Sequence, residues 1–216
     1  MDGMATVRPL RQDAARNRER LIAAAREVFR RKGVDAPLDE IAREAGVAIG
    51  TLYNHFPGRG DLIDAALAPL AERAVELAER AARTEDPWQA FATLMQDTCE
   101  LFVDDRGSVG VYRSRVPGTP VIAAAQQRLT ALKDDIMTRA QRAGVLRADI
   151  ETSDLALLTW GIAGTVDATR DVAPDVWRRH LALLLDGLRP QAAHPLPTSA
   201  LAPGQLGKAV PPGGNG

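Results

Sequence analysis

The sequence predicts an all-α fold, and three observations carry that expectation. Apolar residues recur at helical spacing through nearly every segment, as with Leu21, Ile22, Ala25, Val28 and Phe29, and no stretch shows the period-two alternation of a half-buried strand. Glycine and proline stand at the ends of those segments, at Gly33, Pro37, Gly46, Pro57, Pro87 and Gly144, where helices stop and start. The 216 residues are 45% hydrophobic and 25% charged, an ordinary globular balance that leaves enough apolar surface to bury several helix faces.

The first helix is expected over 16–32, with its apolar face as above, Arg16, Arg18, Arg20, Arg26 and Arg30 on the other faces, and Gly33 as its stop. Pro37 opens a short second helix in which Leu38, Ile41, Ala42 and Ala45 face inward, and Gly46 ends it. A third short helix covers 48–56 and is broken by Pro57-Gly58. The fourth begins near Arg59, and Pro69 is expected to kink or break it. Asp86-Pro87 reads as an N-cap followed by proline at the first helical position, leading into the stripe Trp88, Phe91, Met95, Cys99, Phe102. A loose segment around 106–120 precedes a helix of about 121–143. Thr152 or Ser153 then caps a helix reaching about residue 170, and a last helix spans about 174–188. From Pro190 onward, six prolines and five glycines fall within 27 residues, a composition expected to leave the tail without fixed structure.

Charge is unevenly spread although the net formal charge is only −1. Residues 1–34 hold nine basic against four acidic side chains, an excess of five positive, whereas 61–216 hold sixteen against twenty, an excess of four negative. One end of the chain therefore suits a polyanion, although a solvated helix face would show the same excess. No apolar run is long enough to span a membrane, and the first twenty residues lack the apolar core of a signal peptide, so a cytoplasmic protein with no membrane partner is expected. A single cysteine excludes an internal disulfide framework. His55, His180 and His194 have no partners at metal-ligand spacing, and no phosphate-binding glycine loop occurs. No metal, cofactor or catalytic set is expected, and Cys99 on an apolar stripe reads as a packed thiol.

The densest signal is GVAIGTLYNHFPGRGDL, residues 46–62. Ile41-Ala42 followed by Gly46, Val47 and Leu52 has the spacing of a helix-turn-helix. In that motif a glycine makes the positive-φ turn, and the second helix offers its outer face to a DNA major groove. With the apolar-Ala-Ala…Phe helix ending in Gly33, then Ala45-Gly46-Val47, Gly50-Thr51-Leu52-Tyr53, Phe56, Arg59 and Leu62, residues 20–65 resemble the DNA-binding domain of the TetR family of transcriptional regulators. AQRAGVLRADI (140–150) and WRRHLALLLDGLR (177–189) resemble its SbtR-like subgroup.

That resemblance implies a recognition helix from Ala48 to His55, with Ile49, Gly50, Thr51, Tyr53, Asn54 and His55 among the DNA-facing residues. It makes Arg59 a phosphate clamp, where the family usually has lysine, and lets Arg43 approach phosphate unless it is simply solvated. Tyr53 reads equally as a packing residue with a free hydroxyl, and His55 as a residue packed on Phe56. Ala36-Pro37 departs from the family's usual Thr/Ser cap. Asp39, where some members read bases, would either accept from a cytosine amino group or favour the positive end of its helix.

The resemblance also implies an effector cavity and a dimer interface in the helices that follow. Trp88, Phe91, Met95, Cys99, Phe102, Tyr112, Met137 and Trp160 are the candidate cavity residues, though a stripe at helical spacing also reads as plain core. Trp160, Gly164, Trp177, Leu181, Leu184 and Leu185 are the candidate interface residues. The expected organisation is a basic arm (1–15), a helix-turn-helix domain (16–62), an effector-binding and dimerisation domain (63–189) and a tail (190–216). The expected function is a homodimeric regulator, a repressor released from a palindromic double-stranded operator by a small molecule. An activator or ligand-independent regulator of the same fold is the nearest alternative. An all-α enzyme or carrier is the rival from another class, and it would need a polar constellation that the sequence does not offer.

Overall fold

The computed structural model describes residues 7–104, 119–202, 205 and 206, with side chains from residue 12 onward except at 104 and 192. Eight α-helices and no strand occur among them: α1 (Val7–Lys32), α2 (Leu38–Glu44), α3 (Ile49–His55), α4 (Arg59–Ala82), α5 (Pro87–Asp104), α6 (Pro120–Arg142), α7 (Thr152–Thr169) and α8 (Val176–Gly187), followed by one 3₁₀ turn (Pro190–Ala192). Three starts are capped by an aspartate. Asp61 accepts from the Gly58 N–H at 2.8 Å ahead of α4, Asp86 from the Gln89 N–H at 2.7 Å in α5, and Asp154 from the Glu151 N–H at 2.8 Å ahead of α7. The cap of α7 is therefore Glu151, not Thr152 or Ser153.

Three further expectations need correction. α1 begins at Val7, so half of the anticipated arm is helix; QDAARNRER is rich in strong helix formers and has no breaker. Pro69 neither breaks nor ends α4, which runs 24 residues through it. The N–H that Pro69 lacks would have met the Ala65 carbonyl; the next carbonyl, that of Ala66, takes the Arg26 Nε at 2.9 Å, which ties this turn of α4 to α1. The segment after Pro190 is also not structureless as far as it is described: Arg147 Nη2 donates to the His194 carbonyl at 2.7 Å, and Gln205 closes a turn on the Ala202 N–H at 2.7 Å.

Two cores share one long helix. Leu21, Ala25 and Val28 of α1, Ile41 and Ala42 of α2, and Leu52 of α3 meet Leu62, Ala66 and Leu70 from the first half of α4. Ala78 and Ala81 from its second half join Trp88, Phe91 and Met95 of α5, Ile136 of α6, Ile162 of α7 and Trp177 and Leu181 of α8 in the other. α6 follows α4 along its length. Thr119 donates to Asp64 at one end, Arg128 bridges Glu72 (3.4 Å) and Glu79 (2.7 Å) in the middle, and Arg139 donates to the carbonyls of Ala82 (3.0 Å) and Thr84 (2.9 Å) at the other. These contacts tie α6 to the helix that carries the N-terminal core.

Candidate DNA interface and effector cavity

Gly46 sets the angle between α2 and α3. Its φ is +66°, which side-chain-bearing residues rarely adopt, and a Cβ there would stand 2.6 Å from the Arg20 Nη2. Val47 N–H donates back to the Ala42 carbonyl at 3.0 Å, closing the end of α2. Leu52 and Phe56 then pin α3 to the core, at 0% and 2% exposure. Pro37 provides no side-chain cap for α2, so Asp39 and Glu40 in its first turn are the groups that favour its positive end; Asp39 is exposed.

The outward face of α3 consists of Ala48, Ile49, Gly50, Tyr53 and Asn54, all exposed, with Thr51 and His55 half-buried at its edges. Ile49 (41%) and Tyr53 (51%) are large apolar side chains left facing outward one turn apart. The His55 ring lies 6.3 Å from the Phe56 ring, which is the packing alternative raised for it. A Cβ at Gly50 would meet nothing within 4 Å, so no contact within the chain requires glycine there.

Arg59 is engaged differently from the expected phosphate clamp. Its Nη1 donates to the carbonyls of Val34 (2.7 Å) and Ala36 (2.8 Å), tying the α1–α2 loop to the head of α4. Two of its five donors are thus committed inside the protein.

Cations on α1 divide into two sets. Near its C-terminus Arg30 pairs with Glu27 (2.6 Å), Arg31 with Glu44 (3.1 Å) and Lys32 with Glu40 (2.9 Å). Arg16, Arg18 and Arg20, exposed like Arg43, make no ion pair among the described residues. Arg18 lies over the Phe56 ring at 5.2 Å and Arg20 reaches the Gly46 carbonyl at 3.5 Å, so both flank α3. Neither Arg18 nor Arg20 is among the DNA-facing residues that the resemblance implied. The available signal was the spacing of Glu27, Glu40 and Glu44, which neutralise only the other end of α1.

A cavity of about 860 Å³ lies between α4, α6 and α7. Ala71 and Ala74 of α4, Ala125, Leu129 and Met137 of α6, and Ala156 and Trp160 of α7 give its apolar lining; Lys133, Asp134, Thr152 and Ser153 supply a polar edge. Burial lowers the Lys133 ammonium to about 8, with Asp134 pulling the other way. The Ser153 Oγ is buried without a hydrogen-bond partner among the described residues. Of the candidate cavity residues, Met137 and Trp160 line it. Trp88, Phe91, Met95, Cys99 and Phe102 are instead buried core, Trp88 and Phe91 with their rings 5.9 Å apart, and Tyr112 lies outside the described residues. Burial pushes the Cys99 thiol up to about 12, with a smaller contribution from Glu100.

The candidate interface also needs revision. Trp177 and Leu181 are 1% and 4% exposed and belong to the chain's own core, so they are not free to meet a partner. Leu184 and Leu185 are half-buried against that core, and Trp160 is half-buried beside the cavity. Gly164 is exposed, as are Gly161, Leu157 and Leu183, on α7 and α8, which the contact between Thr165 Oγ1 and His180 Nδ1 (2.8 Å) joins. No group of metal-ligating side chains occurs among the described residues, and no described helix is long and apolar enough to cross a membrane.

Residues 21–66 match the bacterial regulatory proteins of the tetR family, and residues 86–190 match the C-terminal domain of SbtR-like transcriptional regulators. The HTH-type transcriptional regulator TtgW of Pseudomonas putida is 51% identical over 57 residues, which is 26% of this chain and 42% of that protein, so the match spans less than half of the relative. The TetR transcriptional regulator SCO0520 from Streptomyces coelicolor is 32% identical over 81% of this chain and 99% of its own, with a TM-score of 0.49. The ketosteroid transcriptional regulator KstR2 of Mycobacterium tuberculosis shares the fold, at a TM-score of 0.60 and 21% identity over 80% of this chain and 94% of its own. With two matches that together cover the head and most of the body, the chain belongs to the TetR family of DNA-binding transcriptional regulators, in its SbtR-like subgroup.

Proposed function

We propose that the protein is a homodimeric, cytoplasmic repressor that leaves a palindromic operator when a small, largely apolar molecule enters the cavity beside α4. The observation that carries this reading is that one helix serves both places. The first half of α4 holds the core under α3, and Ala71 and Ala74 farther along line the cavity. A ligand that fits only when α6 and α4 are spread apart prefers the arrangement in which the recognition helix is displaced, and that differential preference is what lowers operator affinity.

On the DNA side, Ile49, Gly50, Tyr53 and Asn54 meet the major groove, Thr51 and His55 lie at its edge, and Arg18, Arg20 and Arg43 neutralise phosphates. Asp39 and Arg59 hold α2 and the loop before it in place. Leu157, Gly161, Gly164 and Leu183 form the self-complementary face. Glycines that meet nothing within the chain let a partner helix approach closely, and the exposed leucines give it apolar area. In the cavity, Ser153 supplies a hydrogen bond to a polar group on the effector and the small and apolar side chains take its body.

Mobility shifts against DNA selected by the protein itself test the reading. Binding should fall steeply with salt, and Tyr53→Phe or Thr51→Ala should weaken it while the melting temperature holds. Binding that is absent at low salt, or insensitive to salt, overturns the DNA reading. A large loss of stability in Tyr53→Phe assigns that residue to packing.

A further inference from the structure

The cavity is not closed by helices alone. Leu201, Ala202 and Leu206 line it together with α4, α6 and α7, although they follow the last helix by more than a dozen residues. The route by which they return is built from specific contacts. Arg147, in the α6–α7 loop and only 9% exposed, takes Asp149 in a two-point pair (2.7 and 2.9 Å). The same guanidinium donates to the Gly187 carbonyl at 3.4 Å and the His194 carbonyl at 2.7 Å, fixing the end of α8 and the strand of chain beyond it. Arg189 lies over the Trp88 ring at 3.8 Å. The Ala202–Gln205 turn is closed in both directions, Gln205 N–H to the Ala202 carbonyl at 2.9 Å and Ala202 N–H to the Gln205 Oε1 at 2.7 Å, which sets Leu206 back toward the cavity.

Beyond the His194 contact the segment is held lightly. Residues 193–199 are exposed, and the half-buried positions are those at its end, 200, 201 and 206. A run of chain anchored at one end, solvated in its middle and apolar where it meets a cavity has the layout of a flap.

We propose that residues 193–202, with Gln205 and Leu206, form the outer wall of the effector cavity, and that Leu201 and Leu206 contact the apolar body of the bound molecule. The proposal rests on the reading of this cavity as the effector site, and it adds that ligand length is set by the chain's own C-terminal segment. An elongated apolar molecule, with its polar group at the Ser153 end, fills the space between the alanines of α4 and α6 and displaces or shortens its contact with the two leucines according to its size.

The full-length protein is titrated with N-phenyl-1-naphthylamine, a neutral apolar fluorophore, as wild type, as Leu201→Glu/Leu206→Glu, and as Ala156→Trp, which fills the cavity from the α7 side. The double variant should bind the probe about tenfold or more weakly, because two apolar contacts are replaced by carboxylates that stay in water. Its melting temperature should stay within about 2 °C of wild type, since neither leucine belongs to the cores that hold the helices together. Ala156→Trp should abolish binding. Loss of binding in Ala156→Trp with an affinity within about twofold of wild type in the double variant overturns the wall and leaves the cavity reading standing. A wild type that takes up no probe, or an Ala156→Trp variant that binds it normally, overturns the cavity reading and this proposal with it.

Discussion

Replacing Arg59 with methionine separates two roles that the head of α4 might be assigned. The side chain keeps most of its apolar stem but loses the guanidinium that donates to the Val34 and Ala36 carbonyls at 2.7 and 2.8 Å. Both residues are 4% exposed, so each carbonyl has little access to water as a substitute. A hydrogen bond from a charged donor contributes about 1.5–3 kcal/mol, and the site is only partly buried, so the pair is worth about 2–4 kcal/mol. For a chain of this size that corresponds to a fall of roughly 5–15 °C in melting temperature. Operator affinity should also fall, because the α1–α2 loop positions the helices that carry α3. The deciding measurement is the slope of log affinity against log salt. A positioning residue leaves that slope unchanged, whereas removal of one phosphate contact from each half-site lowers its magnitude by about 1.8, at about 0.9 per contact. A variant that keeps its melting temperature and loses about two units of slope refutes the positioning role and restores Arg59 to the phosphates.

Gly50→Ala should raise stability by about 0.5–1 kcal/mol, since a methyl group there meets nothing within the chain, and should nonetheless weaken operator binding; unchanged binding would mean no backbone approaches DNA at this point. Ile49, exposed at the first turn of α3, is placed to meet a thymine methyl. Deoxyuridine in place of each operator thymine in turn should cost about 1 kcal/mol or more at one position per half-site, and Ile49→Ala should erase that difference. Ser153→Ala should weaken effector binding by about tenfold without lowering stability, because it removes a hydroxyl that has no hydrogen-bond partner among the described residues. The Cys99 thiol, held at about 12 and fully buried, should react with a thiol-specific reagent at pH 8 only as fast as the protein unfolds, and effector should slow the reaction further.

Some parts of this molecule were legible in the sequence because their causes are local. Gly46 suits its φ of +66°, which side-chain-bearing residues rarely adopt, and the apolar spacing of Ile41, Ala42, Val47 and Leu52 fits a tight helix pair. The break allowed at Pro69 does not occur, because α4 is held by partners remote in sequence: Arg128 of α6 on Glu72 and Glu79, and Arg26, forty residues earlier, on the Ala66 carbonyl. The hold of Arg59 on Val34 and Ala36 was not foreseen, since those carbonyls belong to a loop between two other helices.

The cavity was misplaced for a deeper reason. Large apolar side chains at helical spacing report where volume is filled, and Trp88, Phe91, Met95 and Cys99 fill the second core so completely that none exceeds 8% exposure. A cavity is a deficit of volume, and here it arises where small residues of separate helices face one another: Ala71 and Ala74 on α4, Ala125 on α6, Ala156 on α7. Alanine carries no positional signature, being equally at home on any helix face. The wall supplied by Leu201 and Leu206 is harder still to foresee, because it sits in a proline-rich stretch whose composition argues against structure and whose placement depends on Arg147, more than fifty residues away. The arginine is the informative residue. A guanidinium that is 9% exposed and pairs with one carboxylate among the described residues leaves donors that must be satisfied elsewhere, and the Gly187 and His194 carbonyls take them. Removing that requirement with Arg147→Met, in a chain whose helices are otherwise intact, should free the segment without opening the cores. A protease that cuts between 193 and 202 should then act faster on the variant than on the wild type, and a bound effector should protect the wild type more than the variant.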